Sequence, residues 1–128
     1  ACAEAIQRLI QAKVPLEQVT LSSDAHASLP RFNAQGVLEG LQVGDPASLW
    51  RAVVSAVSEH HLPLERVLPL VTSNPARITG LRESGSLHVG RSADLVMVDR
   101  ASLDIHSVMT QGQWRLREGI LTAKGAFE

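Results

Sequence analysis

Three residues whose side chains can do chemistry lie close together in the segment 23–28, namely Asp24, His26 and Ser28. The segment follows a short β-prone run at residues 19–22, so we predict that it begins at the carboxyl end of a strand. Ligands bind at that end of the strands in α/β folds. A carboxylate can move protons there, and a histidine two residues from an aspartate resembles a pair of metal ligands. Spacing alone still favours the simpler interpretation, in which Asp24 caps the following loop.

The remaining histidines and the cysteine show no comparable arrangement. His60 and His61 are adjacent at a predicted helix end, whereas zinc-binding pairs on helices lie four residues apart. The single cysteine, Cys2, cannot form an internal disulfide, so nothing indicates an oxidising compartment. We therefore expect a cytoplasmic protein.

Composition is that of a soluble globular protein and excludes two classes of partner. The chain has 128 residues, of which 45% are apolar and 20% charged, and its formal net charge is −1. Its basic residues are scattered singly without a basic patch, so we expect no nucleic-acid partner. No apolar run approaches the roughly 20 residues that cross a bilayer, so we expect no membrane partner.

The hydrophobic pattern changes near residue 82, from helical spacing before it to alternation after it. We expect residues 29–44 to be loop-like, with a turn at 33–36 and either a short strand or an extended surface segment at 37–43. Helices are predicted at residues 3–13, from Asp45-Pro46 to 57, at 63–72 with a kink at Pro69, and at 73–78. Strands of a small antiparallel sheet are predicted at residues 86–90, 93–99, 107–109, 113–116 and 120–122.

One predicted strand among helices cannot complete a parallel sheet, because the backbone groups of a strand need neighbouring strands. The first residue is Ala1 rather than Met, and it lies inside a helical pattern. We therefore expect a piece of a longer chain whose other strands lie upstream. Its open α/β half should expose apolar surface and favour self-association.

Two stretches carry a family resemblance. Thr72-Ser73-Asn74-Pro75-Ala76, followed by Gly85-Ser86-Leu87 and Ala93-Asp94-Leu95-Val96, resembles the end of the amidohydrolase superfamily barrel. The helix at residues 4–12 and the run Val19-Thr20-Leu21-Ser22-Ser23-Asp24 look like the isoaspartyl dipeptidases in particular. Ser28, Pro30 and Phe32 follow at matching intervals, and the chain ends as those enzymes do.

This resemblance implies an α/β fold and a division of the chain into two parts. Residues 1–82 would supply the last strand and closing helices of a distorted (β/α)8 barrel. Residues 83–128 would supply the C-terminal strands of a small β-sandwich domain. The parent enzyme would be a homo-oligomer, and Asp94 would have a structural role in the sandwich.

The resemblance also assigns roles within the loop. Asp24 would ligate zinc and act as general base and acid, and Ser28 would contact the substrate. The family's loop is glycine-rich, whereas this chain has Ala25-His26-Ala27, and alanine resists the positive φ that glycine adopts freely. If the family loop needs those angles, this loop must differ. The family pattern assigns no ligand to His26.

The implied activity is hydrolysis of the β-linked amide of isoaspartyl dipeptides at a binuclear zinc site in the parent protein. The family's other metal ligands are absent from this sequence, and one carboxylate does not hold zinc. We therefore expect the 128 residues alone to bind no catalytic zinc and to be inactive. Two alternatives stay open: a dihydroorotase-, dihydropyrimidinase- or amino-sugar-deacetylase-like enzyme, and a noncatalytic structural module.

Overall fold

The computed structural model describes residues 2–122, which form two compact units that divide between Pro75 and Ala76. The first unit is built mainly from helices and one hairpin. Its elements are the helices α1 (Cys2–Gln11), α2 (Ser48–Ser58), α3 (Leu64–Val67) and α4 (Ser73–Thr79), two 3-10 helices (Leu16–Gln18 and Leu68–Val71), and the strands β1 (Ser28–Phe32) and β2 (Leu38–Val43). Helix α4 extends past the division into the second unit.

The core of the first unit forms where the apolar stripes of its helices meet. Buried residues recur at helical spacing in α1 and α2, so each helix turns one face inward. Leu70 of the second 3-10 helix joins them and is fully buried. The buried cluster consists of Ala3, Ile6, Leu16, Val53, Ala56, Val67 and Leu70. Pro69 marks the change from α3 to 3-10 geometry, which confirms the predicted kink.

The predicted strand at residues 19–22 is extended but pairs with no strand among residues 2–122. Its backbone groups instead bond to neighbouring parts of the first unit. The N–H of Leu21 donates to the carbonyl of Leu70 at 3.0 Å, and the carbonyl of Val19 accepts from Asn74 Nδ2 at 2.8 Å. These two bonds hold the segment that leads to Asp24. That it belongs to a closed barrel stays a prediction.

A β-hairpin follows the extended segment, in a region expected to be loop-like. Strands β1 and β2 pair antiparallel, with Ser28 opposite Val43. The predicted turn at residues 33–36 is confirmed: the Asn33 side chain accepts from the N–H groups of Gln35 and Val37, and Gly36 has a φ of +78°. Large apolar side chains on this hairpin are more than half exposed, as expected of an open α/β half: Phe32, Leu38, Leu41 and Val43.

The second unit contains an antiparallel meander whose strand order matches chain order. Its strands are β3 (Leu95–Val98), β4 (Ile105–Thr110), β5 (Gln113–Arg117) and β6 (Ile120–Leu121). Asp94 bonds to the β4–β5 turn: its Oδ1 accepts the N–H of Gln111 at 2.7 Å. The antiparallel sheet was predicted from alternation and is confirmed. Its assignment to a β-sandwich, with a boundary at residue 82, stays a prediction.

Two further local expectations were wrong. Residues 86–90 do not form a strand: residues 89–90 lie in a turn, in which the N–H of Arg91 donates to the carbonyl of His88 and Gly90 has a φ of +90°. Helix α2 begins at Ser48 rather than at Asp45-Pro46. The Asp45 carboxylate still accepts the N–H of Ala47 at 2.9 Å, so it caps the turn that precedes the helix. Between residues 2 and 122, no helix has the length and apolar character needed to cross a membrane.

Candidate active-site loop

Asp24 ends the extended segment and is exposed. Its φ of +47° lies in the left-handed region, which aspartate tolerates better than most residues. The hydroxyl of Ser22 donates to Asp24 Oδ1 at 2.7 Å and accepts the backbone N–H of Asp24 at 3.1 Å. The first bond orients the carboxylate and the second holds the backbone of Asp24, so that Ser22 orients the group that the sequence marks out for chemistry.

The chain turns back directly after Asp24 and seats itself on the end of β2. The carbonyl of Asp24 accepts the N–H of Ala27 at 3.0 Å. Gly44, which follows β2, donates to the carbonyl of Ala27 at 2.8 Å and accepts the N–H of His26 at 2.9 Å. Ser28 then begins β1. The structure therefore places Asp24 and Ser28 on either side of one closed turn.

The replacement of glycine by alanine in this loop is accommodated by the residues beside the alanines. The left-handed φ values fall on Asp24 (+47°) and His26 (+63°), and neither Ala25 nor Ala27 adopts one. Aspartate and histidine are several-fold enriched in that region among non-glycine residues. The loop therefore adopts left-handed backbone angles at two positions without a glycine inside it.

The charged neighbour of the loop is already paired. Asp45 follows Gly44, and its Oδ2 lies 2.6 Å from the guanidinium of Arg51. The side-chain bond from Arg51, followed by the backbone bond from Ala47, lowers the pKa of Asp45 below its usual value. Asp45 is thus held as a charged capping group, whereas Asp24 is exposed and forms no ion pair with a residue in the range 2–122.

The described residues do not by themselves make a metal site. Within residues 2–122, no group of three or more His, Cys, Asp or Glu side chains is arranged to hold a metal ion. Structural and catalytic zinc sites use three or four protein ligands, so Asp24 alone does not fit a bound zinc. His26 is exposed, and its backbone rather than its ring has the defined partner.

Sequence reasoning overlooked two residues of this loop. Ser22 could have been found, because a serine two residues before an aspartate is a common side-chain-to-backbone capping pattern. Gly44 could not, since it lies 20 residues beyond Asp24 and meets the loop only through the hairpin.

Comparison with known proteins relates this chain to three solved structures. A crystal structure of β-aspartyl dipeptidase from Fervidobacterium islandicum AW-1, in complex with the β-Asp-Leu dipeptide, matches 98% of this chain at 32% identity with a TM-score of 0.83. A second structure of β-aspartyl dipeptidase from the same organism matches 97% at 29% identity, with a TM-score of 0.76. N-acetylglucosamine-6-phosphate deacetylase from Pasteurella multocida shares the fold over 87% of the chain at 21% identity, with a TM-score of 0.64.

The chain spans about a third of the length of these solved structures, namely 32%, 29% and 33%. The sequence pattern of the amidohydrolase family matches residues 3–115, which is most of the chain. The resemblance inferred from the motifs around Asp24 and Thr72 is therefore confirmed, and this chain belongs to the amidohydrolase family.

Proposed function

We propose that this chain is part of a peptidase that hydrolyses the β-linked amide bond of isoaspartyl dipeptides. The observation that carries the proposal is the match over 98% of the chain to a β-aspartyl dipeptidase that was crystallised with β-Asp-Leu. The deacetylase match at 21% identity supports only the shared fold. Cytoplasmic location and homo-oligomeric assembly stay predictions.

Asp24 is proposed as the general base and acid of the reaction. Its carboxylate would take a proton from the attacking water and pass that proton to the nitrogen of the leaving amine. The bond from Ser22 to Oδ1 supports this role, because it leaves the carboxylate in one orientation while the group stays exposed. A carboxylate that is already oriented loses less conformational entropy when it transfers a proton.

Ser28 is proposed as a substrate contact. It is exposed at the start of β1, and the closed turn separates it from Asp24 by a fixed stretch of backbone. A hydroxyl there can donate to a substrate carboxylate or accept from an amine. Its expected contribution is to binding rather than to the chemical step.

Zinc dependence is part of the proposal, although residues 2–122 contain no group of three or more His, Cys, Asp or Glu side chains that could hold the ion. In a complete site, zinc would supply Lewis-acid chemistry and an acidified water. The ligands other than Asp24 would have to come from outside these 128 residues. We accordingly propose that the 128 residues alone are inactive.

The test compares β-Asp-Leu with α-Asp-Leu as substrates of the natural protein that contains this chain. Wild type should cleave only the β-linked peptide, and Asp24→Asn should lower kcat by about 10²–10⁴-fold, the usual contribution of general acid–base catalysis. Asp104→Asn, the same change at an exposed aspartate in the second unit, is the matched control and should leave kcat unchanged. If zinc-loaded wild type cleaves neither peptide, the substrate assignment is wrong, and cyclic amides and acetylated sugars become the substrates to try.

A further inference from the structure

Gly44 is the residue on which the Asp24 loop closes. It is buried, and it engages both of its backbone groups with the loop, through the carbonyl of Ala27 and the N–H of His26. The turn from Asp24 to Ala27 is itself closed by the bond from the Ala27 N–H to the Asp24 carbonyl. Asp24 is thereby held against the backbone of Gly44, with no side chain between them.

A side chain at position 44 would occupy the space that Asp24 fills. A Cβ atom on Gly44 would overlap the carbonyl oxygen of Asp24, and it would lie 2.8 Å from the carbonyl carbon of Asp24 and 3.4 Å from Cα of Ala25. All three are backbone atoms, so no rotamer change can move them away. The loop itself would have to shift to make room, because interiors are close-packed and offer little slack.

The backbone of Gly44 does not itself require glycine. Its φ lies outside the left-handed region, so alanine could adopt the same angle. Gly36, in the turn of the same hairpin, is the opposite case: its φ is +78°, and nothing lies within 4 Å of a Cβ placed there. Gly36 is therefore suited to its own backbone conformation, whereas Gly44 leaves room for the backbone of Asp24.

We propose that Gly44 is a positioning residue for Asp24: its missing side chain sets where the Asp24 backbone, and with it the carboxylate, comes to rest. The catalytic part of this inference rests on the proposed function, whereas its geometric part does not. A Cβ at position 44 displaces Asp24 by on the order of 1 Å, and a misplacement of that size costs about 10²-fold in rate at a reacting centre.

The experiment determines crystal structures and steady-state kinetics of the natural protein carrying Gly44→Ala, with Gly36→Ala as the matched control. Gly44→Ala should move the Asp24 Cα by about 1 Å and lower kcat for β-Asp-Leu by about 10–100-fold, while KM changes less than about threefold. Gly36→Ala should lower the melting temperature through strain in the turn, yet leave the position of Asp24 and the value of kcat unchanged. If the role of Gly44 were merely structural, both variants would lower the melting temperature and leave kcat unchanged.

A second variant keeps the test decisive if Gly44→Ala does not fold. Adding Ala25→Gly frees the backbone next to Asp24, so the double variant should fold and recover part of the lost kcat. If Asp24 in Gly44→Ala lies within about 0.5 Å of its wild-type place, or if the folded double variant recovers no kcat, the positioning role of Gly44 is overturned. If Asp24 moves but kcat is unchanged, the positioning role stands and the catalytic role of Asp24 is what fails.

Discussion

Asn74 fastens the segment that leads to Asp24, and removing its side chain should destabilise the fold measurably. Asn74 is 5% exposed, and its Nδ2 donates to the carbonyls of Leu16 at 2.7 Å and of Val19 at 2.8 Å. These bonds connect the start of α4 to a part of the chain more than 50 residues earlier, with separations of 58 and 55 residues. Hydrogen bonds between residues that are close in sequence cannot make these connections.

The size of the effect follows from what each carbonyl loses in Asn74→Ala. The carbonyl of Leu16 keeps the N–H of Val19 at 3.0 Å, so its loss is one ordinary hydrogen bond, about 1 kcal/mol. The carbonyl of Val19 has no second partner among residues 2–122, and leaving a partly buried acceptor unpaired costs about 1–2 kcal/mol. We therefore expect the free energy of unfolding to fall by about 2–3 kcal/mol.

Urea unfolding of the natural protein tests this value, with three variants side by side. Asn74→Asp keeps the size of the side chain but turns the donor into a carboxylate oxygen that faces two carbonyls, so it should destabilise at least as much as Asn74→Ala. Thr72→Val is the control, because Thr72 is exposed and its hydroxyl bonds only within its own turn, to the Leu68 carbonyl; we expect a change within about 0.5 kcal/mol. An Asn74→Asp protein as stable as wild type would refute the argument, since the side chain would then matter only for its volume.

Two further predictions concern the substrate contact and the β unit. Ser28→Ala should raise KM for β-Asp-Leu by about 3–10-fold and change kcat little, because one hydrogen bond is worth about 1 kcal/mol; an unchanged KM in steady-state kinetics would argue against the contact. The N–H of Gln111, and next the Ser92 hydroxyl, lower the pKa of Asp94 below 3.8. The stabilising effect of the ionised Asp94 carboxylate is therefore complete above pH 3.8 and is lost as the pH falls through the lower folded-state pKa. The difference in melting temperature between wild type and Asp94→Asn should accordingly shrink from about pH 6 to about pH 3. A difference that stays constant over this range would contradict the assignment.

The sequence predicted the elements whose signal is local. Helices α1 and α2 carry apolar residues at helical spacing over several turns, and the meander alternates around short turns, so these elements were predicted, although α2 begins later than expected. Pro69 acts on its own turn, and its effect was foreseen for the same reason. Asp24 was identified because it ends a β-prone run and because the surrounding residues match a family pattern.

Strand β1 was missed because its reason for existing lies elsewhere in the chain. The sequence of β1 (Ser28–Phe32) contains a proline and shows no alternation of apolar and polar residues, which favours a loop. It becomes a strand because β2 (Leu38–Val43) supplies its hydrogen-bond partners across the Asn33 turn. Pro30 is tolerated since β1 has a neighbour on one side only within residues 2–122.

The glycine that the Asp24 loop needs illustrates why a functional loop is hard to judge from its own residues. A loop needs glycine where a residue must adopt positive φ, and in this chain Asp24 and His26 adopt positive φ themselves. The requirement that remains is for space, and space is decided by whichever backbone lies opposite. Here that backbone is Gly44, whose φ gives no hint of its role. A Cβ at position 44 would meet the backbone of Asp24 and Ala25, so we expect substitutions in the loop and at the end of β2 to depend on one another.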